Sequence, residues 1–296
     1  MKDIFEAFSP VGCEERMREF LKNRLKGKFD EIVTDNMGNL IAKAGNGGLC
    51  IECGMDSVGV MVVSTDDLTA RFASVGNIKV KDVLERRIVF ENGACGVVCC
   101  DEDKDSEAAK LSDLYISFDE QTAEIGDFGV IEPEFTEDEC AYTAYGLKGR
   151  IALAALCRAV NSVEEINNAT LLFSAQKRFG GKGLRAFFGV NNFDKVITLD
   201  GWKGDGCAIV AKDEHVVSNP FLRKELEQMV IDNDIDVQTV VTDENFCMNF
   251  INITCGDPCA AIGIPAVCEQ GELDRVAKCD FDTAVKMLVG ILKEVA

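Results

Sequence analysis

The sequence predicts an α/β protein whose mixed or parallel sheet is covered by helices on both faces and interrupted by a smaller, β-barrel-like domain. Three observations carry this. Strand-like apolar runs alternate with amphipathic helical patterns in the first 63 residues and again after about residue 142. Between about Ser64 and Ala141 the pattern gives way to short strand-like runs separated by turn residues such as Glu91-Asn92-Gly93. The composition, 47% hydrophobic and 28% charged over 296 residues, supplies core material for one large domain or two. The expected organisation is one unit made of residues 1–63 and 142–296, with residues 64–141 inserted.

The elements follow in order. Ser9-Pro10-Val11-Gly12 forms a turn, and Met17, Phe20, Leu21 and Leu25 then share one face of a helix over about residues 14–25. Residues 32–34 and 39–42 read as strands around the turn Asp35-Asn36-Met37-Gly38. Residues 49–53 form a buried strand that runs into Gly54-Met55-Asp56. The insertion has strands near 70–72, 78–80, 87–90 and 96–98. Beyond Gly146 come a helix over 150–160, a strand over 170–174, a helix beginning over 184–188 and a strand over 196–200. Ser218-Asn219-Pro220 starts a helix, with a capping side chain before a proline in the first turn. Phe221, Leu222, Leu226, Met229 and Val230 give it an apolar face. A strand over 236–241 and a closing helix over 281–295 complete the chain.

Charge and composition exclude several functions. A net charge of -20 repels phosphate backbones, so no nucleic-acid partner is expected. No stretch approaches the roughly 18 apolar residues that span a bilayer, so no membrane partner is expected. The start Met1-Lys2-Asp3-Ile4-Phe5-Glu6 lacks a secretory pattern, and a soluble, cytoplasmic protein is expected. The 14 cysteines sit mostly in apolar runs, where free thiols pack as small hydrophobes. Cys50 and Cys53 have CxxC spacing but lie in a buried strand. Gly180-Gly181-Lys182-Gly183 lacks the spacing of a phosphate loop. There is one histidine, His215, in the polar stretch after Lys212-Asp213-Glu214. No site needing two histidine ligands can be built from this chain.

A series of short segments, in order, carries a resemblance. They are Ser9-Pro10-Val11-Gly12-Cys13-Glu14-Glu15, Asp35-Asn36-Met37-Gly38-Asn39-Leu40, Gly54-Met55-Asp56-Ser57-Val58-Gly59 and Leu114-Tyr115-Ile116-Ser117-Phe118-Asp119. Then follow Gly146-Leu147-Lys148-Gly149-Arg150, Ser174-Ala175-Gln176-Lys177-Arg178-Phe179-Gly180, Leu199-Asp200, Thr242-Asp243, Gly256-Asp257-Pro258 and Ile264-Pro265. Over nearly its whole length the chain resembles the glutamyl or deblocking aminopeptidases, dinuclear-zinc enzymes known for tetrahedral dodecamers. The resemblance implies an α/β peptidase domain interrupted by a β-barrel-like one, and a homo-oligomer. It also implies a site in which two histidines and three carboxylates bind two zinc ions and a glutamate activates the metal-bound water.

Carried over position by position, that site is degenerate. Gly54 stands where the first histidine belongs. Asp56, which orients that histidine in the family, is retained. Lys148 replaces the bridging aspartate, and Lys177 and Arg178 replace the glutamate base and its neighbouring ligand. Asp200 survives as a ligand. Gln270 replaces the last histidine. These seven are expected to be vestigial active-site positions, with no catalytic residue, no bound metal and no cofactor. The leading expectation is a catalytically silent homologue that binds a peptide or small anionic ligand in the old cleft or serves in assembly. The alternatives are a hydrolase of altered chemistry using a desolvated lysine, or residual aminopeptidase activity through a rebuilt site such as Asp200, Cys53 and Cys268. Buried aspartates that lose two dications need other cations. At least one of Lys148, Lys177 and Arg178 is therefore expected in salt-bridge reach of Asp56 or Asp200.

Overall fold

The computed structural model describes residues 1–267 and 273–295. Helices α1 (Lys2–Glu6) and α2 (Glu15–Leu25) open the chain, and α2 buries Met17, Leu21 and Leu25. Strands β1 (Glu31–Thr34) and β2 (Leu40–Lys43) pair antiparallel. The turn between them is built by Asp35, whose carboxylate accepts from the amides of Met37 and Asn39. Strand β3 (Leu49–Gly54) is buried at all six positions.

The chain then forms a closed six-stranded barrel. Its strands are β4 (Gly59–Asp66), β5 (Thr69–Val75), β6 (Arg87–Phe90), β7 (Cys95–Cys100), β8 (Leu114–Phe118) and β9 (Phe128–Ile131). Val60, Phe72, Ile88, Val98 and Ile116 fill it. The strand expected at 78–80 is not there. Instead Lys79 precedes a short helix α3 (Val80–Val83), and the Asp82 carboxylate caps the amide of Lys79. Ile78 and Val83 still reach the barrel core, so the apolar pattern reflects burial rather than a strand. The expected boundary at 63/64 falls inside β4, and the one at 141/142 falls inside β11 (Ala141–Ala144). Strand β11 joins β10 (Thr136–Glu137) in a small sheet that is completed much later in the chain.

The second half supplies α4 (Ile151–Ser162), β12 (Ala169–Ser174), α5 (Lys182–Phe188), β13 (Lys195–Trp202) and β14 (Ala208–Lys212). Then come α6 (Pro220–Asp232), β15 (Gln238–Val241), α7 (Met248–Thr254), β16 (Cys259–Pro265), β17 (Asp274–Ala277) and α8 (Lys278–Gly290). A π-helical turn, Ile291–Val295, follows the last helix. The Asn219 side chain accepts from the amides of Phe221 and Leu222 and starts α6 as its sequence predicts.

The main sheet runs β1-β2-β12-β3-β13-β16-β14-β15, and β17 pairs with β11 in the small sheet. Strands β12, β3, β13 and β16 are mutually parallel, while β2 and β14 run antiparallel to their neighbours in that set. The sheet is therefore mixed. Alternate residues face opposite layers. Ile51, Leu171 and Ile197 pack with α2, α4, α6 and α8, whereas Cys50, Leu172 and Val196 pack with α5 and α7. Every described cysteine is a free thiol. Among the described residues no helix is long and apolar enough to cross a membrane.

Candidate functional site at the strand ends

The parallel strands end together, and their C-terminal ends carry the charged residues. In open α/β sheets this edge is where ligands bind. Asp56 lies two residues beyond β3. Lys177 and Arg178 lie just beyond β12. Asp200 is within β13, and Lys148 sits in the 3-10 turn Leu147–Gly149 that precedes α4. The fold thus brings Gly54, Asp56, Lys148, Lys177, Arg178 and Asp200 to one edge. Gln270 lies outside the described residues.

The loop after β12 is held by three buried acceptors. The Ala175 amide donates to Asn39 Oδ1 at 2.8 Å, the Gln176 amide to Glu14 Oε1 at 3.0 Å and the Arg178 amide to Asp56 Oδ2 at 2.8 Å. Gln176 takes a left-handed φ of 50° within this clamp. The result is that Lys177 turns inward and is only 4% exposed.

The Lys177 ammonium is 3.0 Å from Glu52 Oε2, 3.1 Å from the Leu199 carbonyl and 3.6 Å from Asp200 Oδ2. Glu52 is fully buried, and its other oxygen accepts from Ser174 Oγ at 2.5 Å. Burial works against the charged lysine, but Glu52 and Asp200 outweigh it and hold its pKa above the usual lysine value. Burial likewise opposes ionisation of Asp200. Lys177 and Arg178 overcome it and hold that carboxyl below the usual aspartate value. The lysine stem also fills space. A Cβ placed on Gly54 would lie 2.7 Å from Lys177 Cδ and 3.3 Å from Asp56 Oδ1.

Arg178 reaches Asp200 Oδ1 at 3.4 Å and the Gly149 carbonyl at 3.3 Å, both through Nη2. Asp56 is 1% exposed, and its Oδ1 has no partner among the described residues. Burial raises its pKa to about 6, against the pull of Arg178. Lys148 pairs with Glu244, and its amide donates to Asp274. Arg150 is buried without a carboxylate contact among the described residues. It donates to the carbonyls of Ile4 and Ala7 and to Ser9 Oγ, which in turn donates to the Met55 carbonyl. The N-terminal segment is thereby tied to the loop that carries Asp56.

Sequence reasoning missed Glu52, Ser174 and Glu244. Glu52 had a signal: a carboxylate within the otherwise apolar run Leu49-Cys50-Ile51-Glu52-Cys53 must have a buried partner. His215 is elsewhere, half-exposed and 3.2 Å from Glu214. Cys53 packs into the main core, and Cys268 lies outside the described residues. Among the described residues, no three His, Cys, Asp or Glu side chains converge as a metal-binding group.

Comparison with known proteins adds the lineage. The family profile described as M42 glutamyl aminopeptidase matches residues 38–287. A protein of Acetivibrio thermocellus named "Putative aminopeptidase" is 29% identical, across 98% of this chain and 97% of its own length. The TET aminopeptidase of a marine sediment archaeon of the Thaumarchaeota superposes with a TM-score of 0.88 at 19% identity, covering 100% of this chain and 95% of that one. The Pyrococcus horikoshii TET1 peptidase, described as assembling into a tetrahedron or a large octahedral shell, gives 0.88 at 22% identity, covering 99% and 98%.

Proposed function

The chain belongs to the M42 glutamyl aminopeptidase family, and from that premise we propose that it is a member without metal-dependent hydrolysis, acting as a binding or assembly protein. The observation that carries this reading is the Lys177 ammonium seated between Glu52 and Asp200. Two zinc ions need several lone-pair donors around one point. Lysine ammonium and arginine guanidinium have none. Lys177 and Arg178 occupy two donor positions and neutralise Asp200, a surviving carboxylate. Asp56 is engaged by the Arg178 amide, and the only histidine of the chain is elsewhere. The residues present do not fit a dinuclear zinc centre, and no catalytic step is assigned through one.

The lysine environment also argues against a new hydrolytic chemistry. A nucleophilic or basic lysine needs a lowered pKa. Lys177 has three acceptors and a raised one, and Lys148 is paired with Glu244. What remains is an open cleft beside a neutralised charge cluster, suited to holding a peptide or a small anion without cleaving it. The barrel is read as an inserted unit. Self-assembly is part of the proposal by analogy with relatives described as dodecamers and shells. The free thiols accord with the cytoplasm.

The test is metal analysis of the purified chain beside a peptidase assay with added zinc or cobalt. We expect no stoichiometric metal and no metal-dependent cleavage. Lys148→Asp alone restores neither, because the lone pairs missing at positions 54, 177 and 178 are still missing. Metal-dependent cleavage by the unmodified chain would overturn the proposal.

A further inference from the structure

Beside the buried cluster lies a cleft of about 660 Å³, between the barrel and the strand ends. Four cations line it: Lys79 from the barrel, Lys148, Arg178 and Lys203. Three carboxylates face them, Asp200, Asp243 and Glu244. The cleft is thus richer in cations than in carboxylates, in a chain whose net charge is -20.

The four cations are unequally satisfied. Lys148 is spent on Glu244. Arg178 uses one nitrogen for two long hydrogen bonds, to Asp200 and to Gly149. Among the described residues its Nη1 and Nε donate to nothing. A guanidinium has five donors in a planar fork, so most of the Arg178 donors are without a partner among the described residues, and its side chain, 26% exposed, lines the cleft. Lys79 and Lys203 are exposed, and neither is in an ion pair among the described residues. Three under-used cations around one concave space form a receptor for an oxyanion.

We propose that this cleft binds a small oxyanion, a carboxylate or a phosphate, through Arg178 with support from Lys79 and Lys203. The inference rests on the metal-free reading above, because a dication at Asp200 would take the place of the Lys177 and Arg178 contacts. Arg178 is fixed from behind by its own amide on Asp56 and by Asp200. Its fork is therefore pre-oriented, and binding costs little side-chain ordering. Lys148 is neutralised by Glu244, so neither its contact nor its charge is assigned to the ligand.

Isothermal titration of the full chain, with a chelator present throughout, tests this with two probes, inorganic phosphate and succinate. At least one is expected to bind saturably, and more weakly as salt rises. Preference for succinate marks a carboxylate ligand, preference for phosphate a phosphate ester, and either supports the inference. Arg178→Gln is expected to weaken binding about tenfold. Because that variant also touches the buried cluster, Lys203→Gln and Lys79→Gln serve as surface variants, each expected to weaken binding about threefold with an unchanged Tm. Binding that ignores all three substitutions, or no binding of either probe, overturns the inference and leaves the metal-free reading standing. Binding that appears only when zinc replaces the chelator overturns both.

Discussion

A carboxylate in the middle of a fully buried strand must be matched by a cation or give up its charge, and Glu52 is matched by Lys177. Burial pushes the Glu52 carboxyl up, and Lys177 and Ser174 pull it back. Removing one partner of such a pair leaves an uncompensated buried charge, at a cost of about 3–5 kcal/mol. Lys177→Met should therefore destabilise the protein by that amount in urea unfolding. Glu52→Gln with Lys177→Met should recover most of it, since the desolvation problem leaves with both charges. A single variant within about 1 kcal/mol of the parent would contradict the pairing. Asp56 has the opposite pH signature from Asp200. Its folded pKa of about 6 exceeds the ordinary aspartate value of 3.8. The folded state holds a proton there that the unfolded chain releases, so the contribution to stability is full below pH 3.8 and is lost as pH rises through 6. Between pH 4 and 7 the parent should lose about 2–3 kcal/mol more stability than Asp56→Asn, which cannot titrate. Equal slopes for the two proteins would remove Asp56 from this role.

At the level of elements, the end of β12 and the end of β3 are packed as one piece. Gly54 leaves the volume that the Lys177 stem occupies, and the ammonium at the end of that stem is pinned by three acceptors. The stem cannot swing aside without breaking them. Gly54→Ala should cost about 1–3 kcal/mol by overpacking. The same change should cost much less in a Lys177→Ala background, where Cδ is gone. Additive costs in that cycle would mean the two positions do not compete for space. The elements also show what sequence can and cannot convey. Strands β3, β12 and β13 are legible because they are apolar and end at Gly54, Ser174 and beyond Asp200, where the texture breaks. Strands β14 and β16 are not, although β16 is buried throughout and β14 is buried and apolar up to Lys212. Ala208-Ile209-Val210 and Ala260-Ala261-Ile262 are short apolar runs whose period does not separate strand from helix. The identity of the charged positions is readable from the family pattern. Their partners are not, because Glu52 and Glu244 meet Lys177 and Lys148 across 125 and 96 residues of chain. Only the folded chain makes them neighbours, through the sheet order and the loops that leave its strand ends.

For the whole molecule, charge governs how copies meet. A net charge of -20 on a 32.3 kDa chain opposes association with any copy of itself, because each protomer carries the same acidic field. Contacts that hold an assembly together must then overcome a repulsion that reaches about 30 Å at 0.01 M salt and about 10 Å at 0.1 M. The buried cluster does not add to that field, since Lys177 and Arg178 offset Glu52 and Asp200 inside the protein. The repulsion comes from surface acids, which salt screens well. Self-assembly of this chain should therefore be promoted by salt rather than dissolved by it, the reverse of an assembly held by surface ion pairs. Light scattering on the purified protein should give a mass above 32.3 kDa, with the assembled fraction rising between about 0.01 M and 0.3 M sodium chloride. A monomeric mass at every salt concentration would end the proposal that the chain assembles with itself. An assembly that falls apart as salt rises would place its contacts among charged side chains instead of apolar surface.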